Sequence, residues 1–157
     1  MLIHNYGLFW KECDGDWSGK SLWGHFSGHQ SYETDFATQR GIYVLYDAQF
    51  KIVYVGQAGL GEDCLFKRLD AHRWDRLKGR WSLFSWFGVC PLVERPEGSD
   101  EWVVDTDAAI TTSIASTLNH LEAVLIAASE PPLNLQRGRF GEDVYQYNQT
   151  AVSDFDE

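Results

Sequence analysis

No stretch of this sequence is apolar for long enough to span a bilayer, which takes about 20 consecutive apolar residues. The first residues, Met1-Leu2-Ile3-His4-Asn5-Tyr6, lack the basic start, apolar run and small-residue cleavage site of a secretory signal. The expectation is a cytoplasmic protein with no membrane partner. Cysteine is scarce: Cys13, Cys64 and Cys90 are odd in number and show no CxxC spacing, which fits reduced thiols better than a disulfide framework. Positive charge is also short, with 13 Lys and Arg against 23 Asp and Glu and a formal net charge of -10. A body this acidic repels a phosphate backbone, which argues against broad non-specific binding to nucleic acid. There is no internal repeat and no low-complexity segment.

What is present is enough for one domain: 157 residues, 44% hydrophobic, can bury a full core. The basic residues are also not spread evenly. Lys67, Arg68, Arg73, Arg76, Lys78 and Arg80 fall in one short segment, while acids collect between 100 and 107 and in Asp154, Asp156 and Glu157. This reads either as a basic strip on an acidic body or as an ordinary solvated helix face.

Residues 1–40 are rich in Gly, Trp, Ser and His without a sustained period, and predict a short strand near Tyr6 to Trp10 within loop-rich structure. From Gly41 the pattern sharpens. Gly41 to Tyr46 and Lys51 to Gly56 are β-branched and aromatic runs joined by Asp47-Ala48-Gln49-Phe50, a hairpin signal. Asp63 is placed to cap a helix whose apolar stripe is Leu65, Phe66, Leu69 and Leu77. A third strand is expected from Ser82 to Val93 and a loop from Glu94 to Asp105. A second helix, capped at Thr106 or Asp107 with the stripe Ile114, Leu118, Leu121 and Leu125, should end at Pro131-Pro132. These elements predict an α/β (α+β) domain: a small three-stranded, mainly antiparallel sheet flanked by helices. It would occupy 41–140, with an N-terminal extension over 1–40 packed on it and an acidic tail over 141–157.

A symmetric turn centred between Ala48 and Gln49 places Tyr43 directly opposite Tyr54, both on one face. Two adjacent phenols are either an aromatic pair in a core or a reactive pair. The following Gly56-Gln57-Ala58-Gly59-Leu60-Gly61 has the glycines of a tight turn and matches no nucleotide-binding fingerprint. Arg68 and His72, four residues apart on a helix, offer a guanidinium fork and an imidazole to one ligand. Glu122, a lone carboxylate beside the apolar stripe of the second helix, is a metal-ligand candidate or a solvated rim residue. His120 is read as a rim residue without a role.

Gly41-Ile42-Tyr43, Tyr54-Val55-Gly56, Arg68, His72, Glu122 and Asn134 stand in the order and at about the spacing of the motifs of the GIY-YIG nuclease superfamily, which this chain resembles over residues 41 to about 135. Val55 for isoleucine is the only departure. The resemblance implies a divalent-metal-dependent endonuclease, with Glu122 holding magnesium or manganese, Tyr43 acting as general base and Tyr54 positioning phosphate or water. Arg68 would clamp the scissile phosphate, His72 would contact phosphate or relay a proton, and Asn134 would orient the site. A phenol with a pKa of about 10 is a weak base at neutral pH, so nearby positive charge from the metal, Arg68 and Lys51 would have to favour the phenolate. Lys67, Arg73, Arg76, Lys78 and Arg80 are the expected nucleic-acid contacts.

DNA is the expected substrate. The acidic body favours delivery by a larger protein complex, and a subunit in phage defence or a mobile element is the context that analogy suggests. Rival readings are a non-catalytic interaction module on the same fold, and a phosphodiesterase for RNA or small nucleotides, since such residues read phosphate rather than sugar. A zinc site from Cys13, His25 and His29 lacks a second cysteine. Trp74, Trp81 and Trp86 are either core residues or stacking platforms for unpaired bases.

Overall fold

The run Ile42 to Tyr46 has no polar position to mark a solvent face, and a strand of that kind needs cover on both sides. The computed structural model, which describes residues 2–26, 33–59, 62–94, 101–108, 114–129 and 144–152, supplies it. The strands are β1 (Asn5–Lys11), β2 (Trp23–Phe26), β3 (Glu33–Asp35), β4 (Gly41–Tyr46), β5 (Ile52–Ala58), β6 (Leu83–Gly88), β7 (Leu92–Glu94), β8 (Trp102–Val104) and β9 (Tyr145–Gln149). The helices are α1 (Leu65–His72) and α2 (Ile114–Ser129). Neither is long and apolar enough to cross a membrane.

The expected three-stranded sheet flanked by helices is overturned. The described residues form a seven-stranded mixed sheet in the order β3-β2-β9-β1-β6-β4-β5, with a separate two-stranded sheet, β7-β8. The trio β6-β4-β5 is antiparallel as read. Beyond it, β1 pairs antiparallel with β6 and parallel with β9, so that both ends of the chain enter the sheet. The segments read as an extension and a tail therefore contribute four strands. Strands of three to five residues, such as β2, β3 and β9, carry too few alternations to show a period. The run from Ser82 to Val93 is split into β6 and β7, and part of the expected acidic loop is β8.

Alternation along β4 divides its side chains between two cores. Tyr43 and Leu45 join Trp10, Phe84 and Trp86 under α1, whose Leu65, Phe66 and Leu69 face the sheet. Val44 and Tyr46 join Ile3 and Phe87 on the opposite face, where Ala123, Val124 and Ala128 of α2 pack. Each fully buried aromatic of this set contributes about 2–3 kcal/mol of transfer free energy.

The docking face of α2 differs from the expected one. Leu121 and Leu125 are 41% and 68% exposed, while the smaller Ala123, Val124 and Ala128 are buried. Small residues bring the helix backbone close to the sheet, and Tyr46 Oη donates a 2.7 Å hydrogen bond to the Ala128 carbonyl. His120 is no rim residue: it is buried, and its Nδ1 accepts from the N–H groups of Leu2 and Ile3 at 3.2 and 3.0 Å.

Gly41 fixes how closely β4 approaches β6. It adopts φ +151°, and an added Cβ would collide with the Phe87 carbonyl oxygen. Gly79 also has positive φ, +72°, but an added Cβ there meets nothing within 4 Å. Gly79→Ala should therefore lose only about 1 kcal/mol of backbone strain, and Gly41→Ala about 3 kcal/mol or more, because backbone must move. Urea midpoints of the two variants check this, and equal losses would contradict the close approach.

Candidate active site

The β4–β5 turn sets where the phenols meet. Asp47 Oδ1 accepts from the N–H groups of Gln49 and Lys51, and Phe50 adopts φ +63°. A left-handed residue after such a turn introduces a bulge and moves the register. Tyr43 faces Gly56 and Leu45 faces Tyr54, where a symmetric turn would have set Tyr43 opposite Tyr54. A shift of two residues keeps both phenols on one face as diagonal neighbours, with ring centroids 6.1 Å apart. Gly56 makes the room: a Cβ there would run into Tyr43 Oη and the Tyr54 ring.

The helix that completes the site is anchored by backbone rather than by Asp63. The first N–H groups of α1, from Leu65 and Phe66, donate to the carbonyls of Gln39 and Ala37 at 2.8 and 3.0 Å. Cys64 occupies the cap position without a side-chain bond, and Asp63 lies 3.7 Å from Arg68 as an ion pair. The helix stops at His72 instead of continuing to Leu77, which is buried by the turn that follows.

Four of the expected residues converge here. Tyr43 Oη lies 2.8 Å from His72 Nε2, and the Tyr54 ring stands edge-on to the imidazole at 4.8 Å. Tyr43 is 0% exposed and His72 5%, whereas Tyr54 and Arg68 are half-buried and form the outer layer. Arg68 lies against the Tyr43 phenol, and its Nε is buried without a hydrogen-bond partner. One residue of the cluster went unread in the sequence: Asp75, whose Oδ2 is 2.7 Å from His72 Nδ1 and whose Oδ1 accepts from the Leu77 N–H at 2.7 Å. A histidine followed three positions later by an aspartate, a spacing that brings helical neighbours together, was the available signal.

The electrostatics reverse one expectation. Burial pushes the Tyr43 hydroxyl above the ordinary tyrosine range, and the hydrogen bond and charge of Arg68 pull it only partly back. The same contact raises Arg68 further. Asp75 is held below the usual carboxylate range, first by the Leu77 N–H and then by His72.

The other expected residues fall elsewhere or outside the described residues. Glu122 belongs to α2, on the opposite face of the sheet, and its side chain lies outside the described residues, as does Asn134. Among the described residues no group of three or more His, Cys, Asp or Glu is placed to hold a metal ion. His25 pairs with Thr150 and Cys13 with Asp14, and His29 lies outside the described residues. Of the basic strip, Lys67 bonds the Glu62 carbonyl, and Arg73 is engaged by Glu12 and Asp70 and stacks on Trp17. Arg76, Lys78 and Arg80 are exposed, with Lys78 over Trp74. Trp74 is 66% exposed, while Trp81 and Trp86 are core residues.

No family model matches the chain, and no curated protein or solved structure matches it.

Folding keeps the Tyr43 phenol protonated, and burial lifts Tyr147 to about 12 in the same way. The unfolded chain gives up these protons from about pH 10. Their contribution to stability is thus complete below that pH and is lost as pH rises through the raised folded values. Urea midpoints followed into this alkaline range should fall steeply for the native chain and less steeply for Tyr43→Phe; equal slopes would contradict a raised phenol.

Proposed function

We propose that the chain is a phosphodiester hydrolase acting on nucleic acid, related to the GIY-YIG nucleases but carrying their motifs on a wider sheet. The observation that supports this most is the hydrogen bond between the Tyr43 phenol and His72 with the Arg68 guanidinium alongside. In-line hydrolysis needs a donor fork on the non-bridging oxygens and a group to take the proton of the attacking water. Arg68, half-exposed and with Nε unpartnered, suits the first task. For the second, Tyr43 accepts the proton of water as it passes its own to His72 Nε2, so the pair never holds a free phenolate in the resting state. Tyr54 closes the approach to Tyr43, and its ring must swing aside for water to enter.

The cation that the resemblance implies does not fit the phenol side. Among the described residues, the carboxylates bonded into the site, Asp63 and Asp75, are engaged by Arg68 and by His72 with the Leu77 N–H, and the helix of Glu122 packs against the other face. No step is therefore derived through magnesium or manganese. Exposed Arg76, Lys78 and Arg80 are a modest electrostatic footprint for a chain of net charge -10, and delivery to DNA by a larger protein complex accords with that. The complete burial of Tyr43 favours a second reading, a binding module in which the phenols are core residues.

Nicking of supercoiled plasmid separates the two. Wild type is expected to cut, and Tyr43→Phe and Arg68→Ala to lose about 10²-fold or more while still folded. Glu122→Ala, with magnesium or manganese and with EDTA, tests the cation separately. Folded wild type inert on duplex DNA, single-stranded DNA and RNA would leave the binding module.

A further inference from the structure

We propose that Asp75 is the positioning residue of this site, holding His72 in the tautomer with hydrogen on Nδ1 so that Nε2 faces Tyr43 as a proton acceptor. An ionised carboxylate can only accept, so a 2.7 Å contact between Asp75 Oδ2 and His72 Nδ1 requires the hydrogen to be on Nδ1. In a neutral ring that leaves Nε2 with its lone pair toward Tyr43 Oη, 2.8 Å away, and the phenol donates. The other neutral tautomer would set the Nδ1 lone pair against carboxylate oxygen, a repulsion at this distance.

The surrounding structure fixes both ends of this chain of bonds. Asp75 is clamped through its second oxygen by the Leu77 N–H, and Leu77 is buried. The His72 carbonyl accepts from the indole of buried Trp81 at 3.3 Å, which pins the backbone that carries the ring. Asp75 follows His72 at the i,i+3 spacing of helical neighbours, and the bond from the Asp75 N–H to the Ala71 carbonyl at 3.0 Å keeps it within reach of Nδ1. The charged and titratable groups around the chain are Arg68 and Tyr54 at Tyr43, Tyr54 and Asp75 at His72, and Arg76 near Asp75. None of these competes for His72 Nδ1.

The kinetic part of this inference rests on the hydrolase reading, but the tautomer does not. The test is ¹⁵N NMR of the His72 ring at neutral pH in wild type and Asp75→Asn, with kcat and KM for nicking measured in parallel. Asparagine keeps an oxygen for the Leu77 N–H and turns its NH2 toward Nδ1, so the hydrogen should move to Nε2. Wild type should show the Nδ1–H form and Asp75→Asn the Nε2–H form, with kcat reduced about 10²- to 10⁴-fold and KM little changed. Hydrogen on Nε2 in wild type, on both nitrogens, or on Nδ1 in both proteins would overturn the proposal, as would an unchanged kcat in Asp75→Asn. The expected tautomer switch in a protein that cuts nothing would support the positioning role and overturn the hydrolase reading.

Discussion

Cover on both faces of β4 is the constraint on which the rest of the molecule depends. The strand lies between β5 and β6, and its four residues from Tyr43 to Tyr46 are all buried. Parity alone then decides which side chain meets which helix. A slip of one residue would send Tyr43 to the face of α2 and Val44 to that of α1, emptying one core and overfilling the other. Gly41, pressed against the Phe87 carbonyl, and Gly56, opposite Tyr43, hold the strand in the one register that puts a phenol beside His72. The two glycines of the motif thus have steric reasons that involve no ligand.

The chemistry of the cluster follows from that burial. A phenol with no exposure resists ionisation, and one guanidinium does not reverse this. The positive charge that the sequence suggested would make a phenolate is outweighed, and a proton acceptor on the far side of the phenol takes its place. His72, at the end of α1, and Asp75, three residues on, supply it. The start of that helix is hydrogen-bonded to the carbonyls of Ala37 and Gln39, and its end is closed by the turn through Asp75 and Leu77.

Sequence patterns carried the hairpin, the position of α1, the strand that became β6 and the existence of a helix near Glu122, because each is long enough to show its period. They did not carry pairings made by the chain ends. β1 was foreseen as a strand near Tyr6 to Trp10, but nothing local tells it to lie between β6 and β9, which is more than 130 residues away in sequence. The hairpin register was missed because symmetric counting ignores both the left-handed Phe50 in the turn and the irregularity beyond it, where Tyr46 faces Ile52 but Leu45 faces Tyr54. The face of α2 was missed because leucines outrank alanines in any hydrophobic stripe, whereas close contact with Tyr46 selects the small side. At the site, Tyr43, Tyr54, Arg68 and His72 were legible as a motif; Asp75 was not, since an aspartate at i,i+3 from a histidine is as readily a solvated neighbour as a partner.

In the proposed function Arg68, Tyr54 and the Tyr43–His72 pair form one site for a nucleic-acid phosphate. The most direct test is the NMR signal of the Arg68 Nε–H, a buried group without a partner in the structure, followed as a short oligonucleotide is titrated into Tyr43→Phe. Binding of phosphate at this site should make this signal and the Tyr54 ring shift together and saturate. Shifts confined to Arg76, Lys78, Arg80 and Trp74, with Arg68 unmoved, would contradict it.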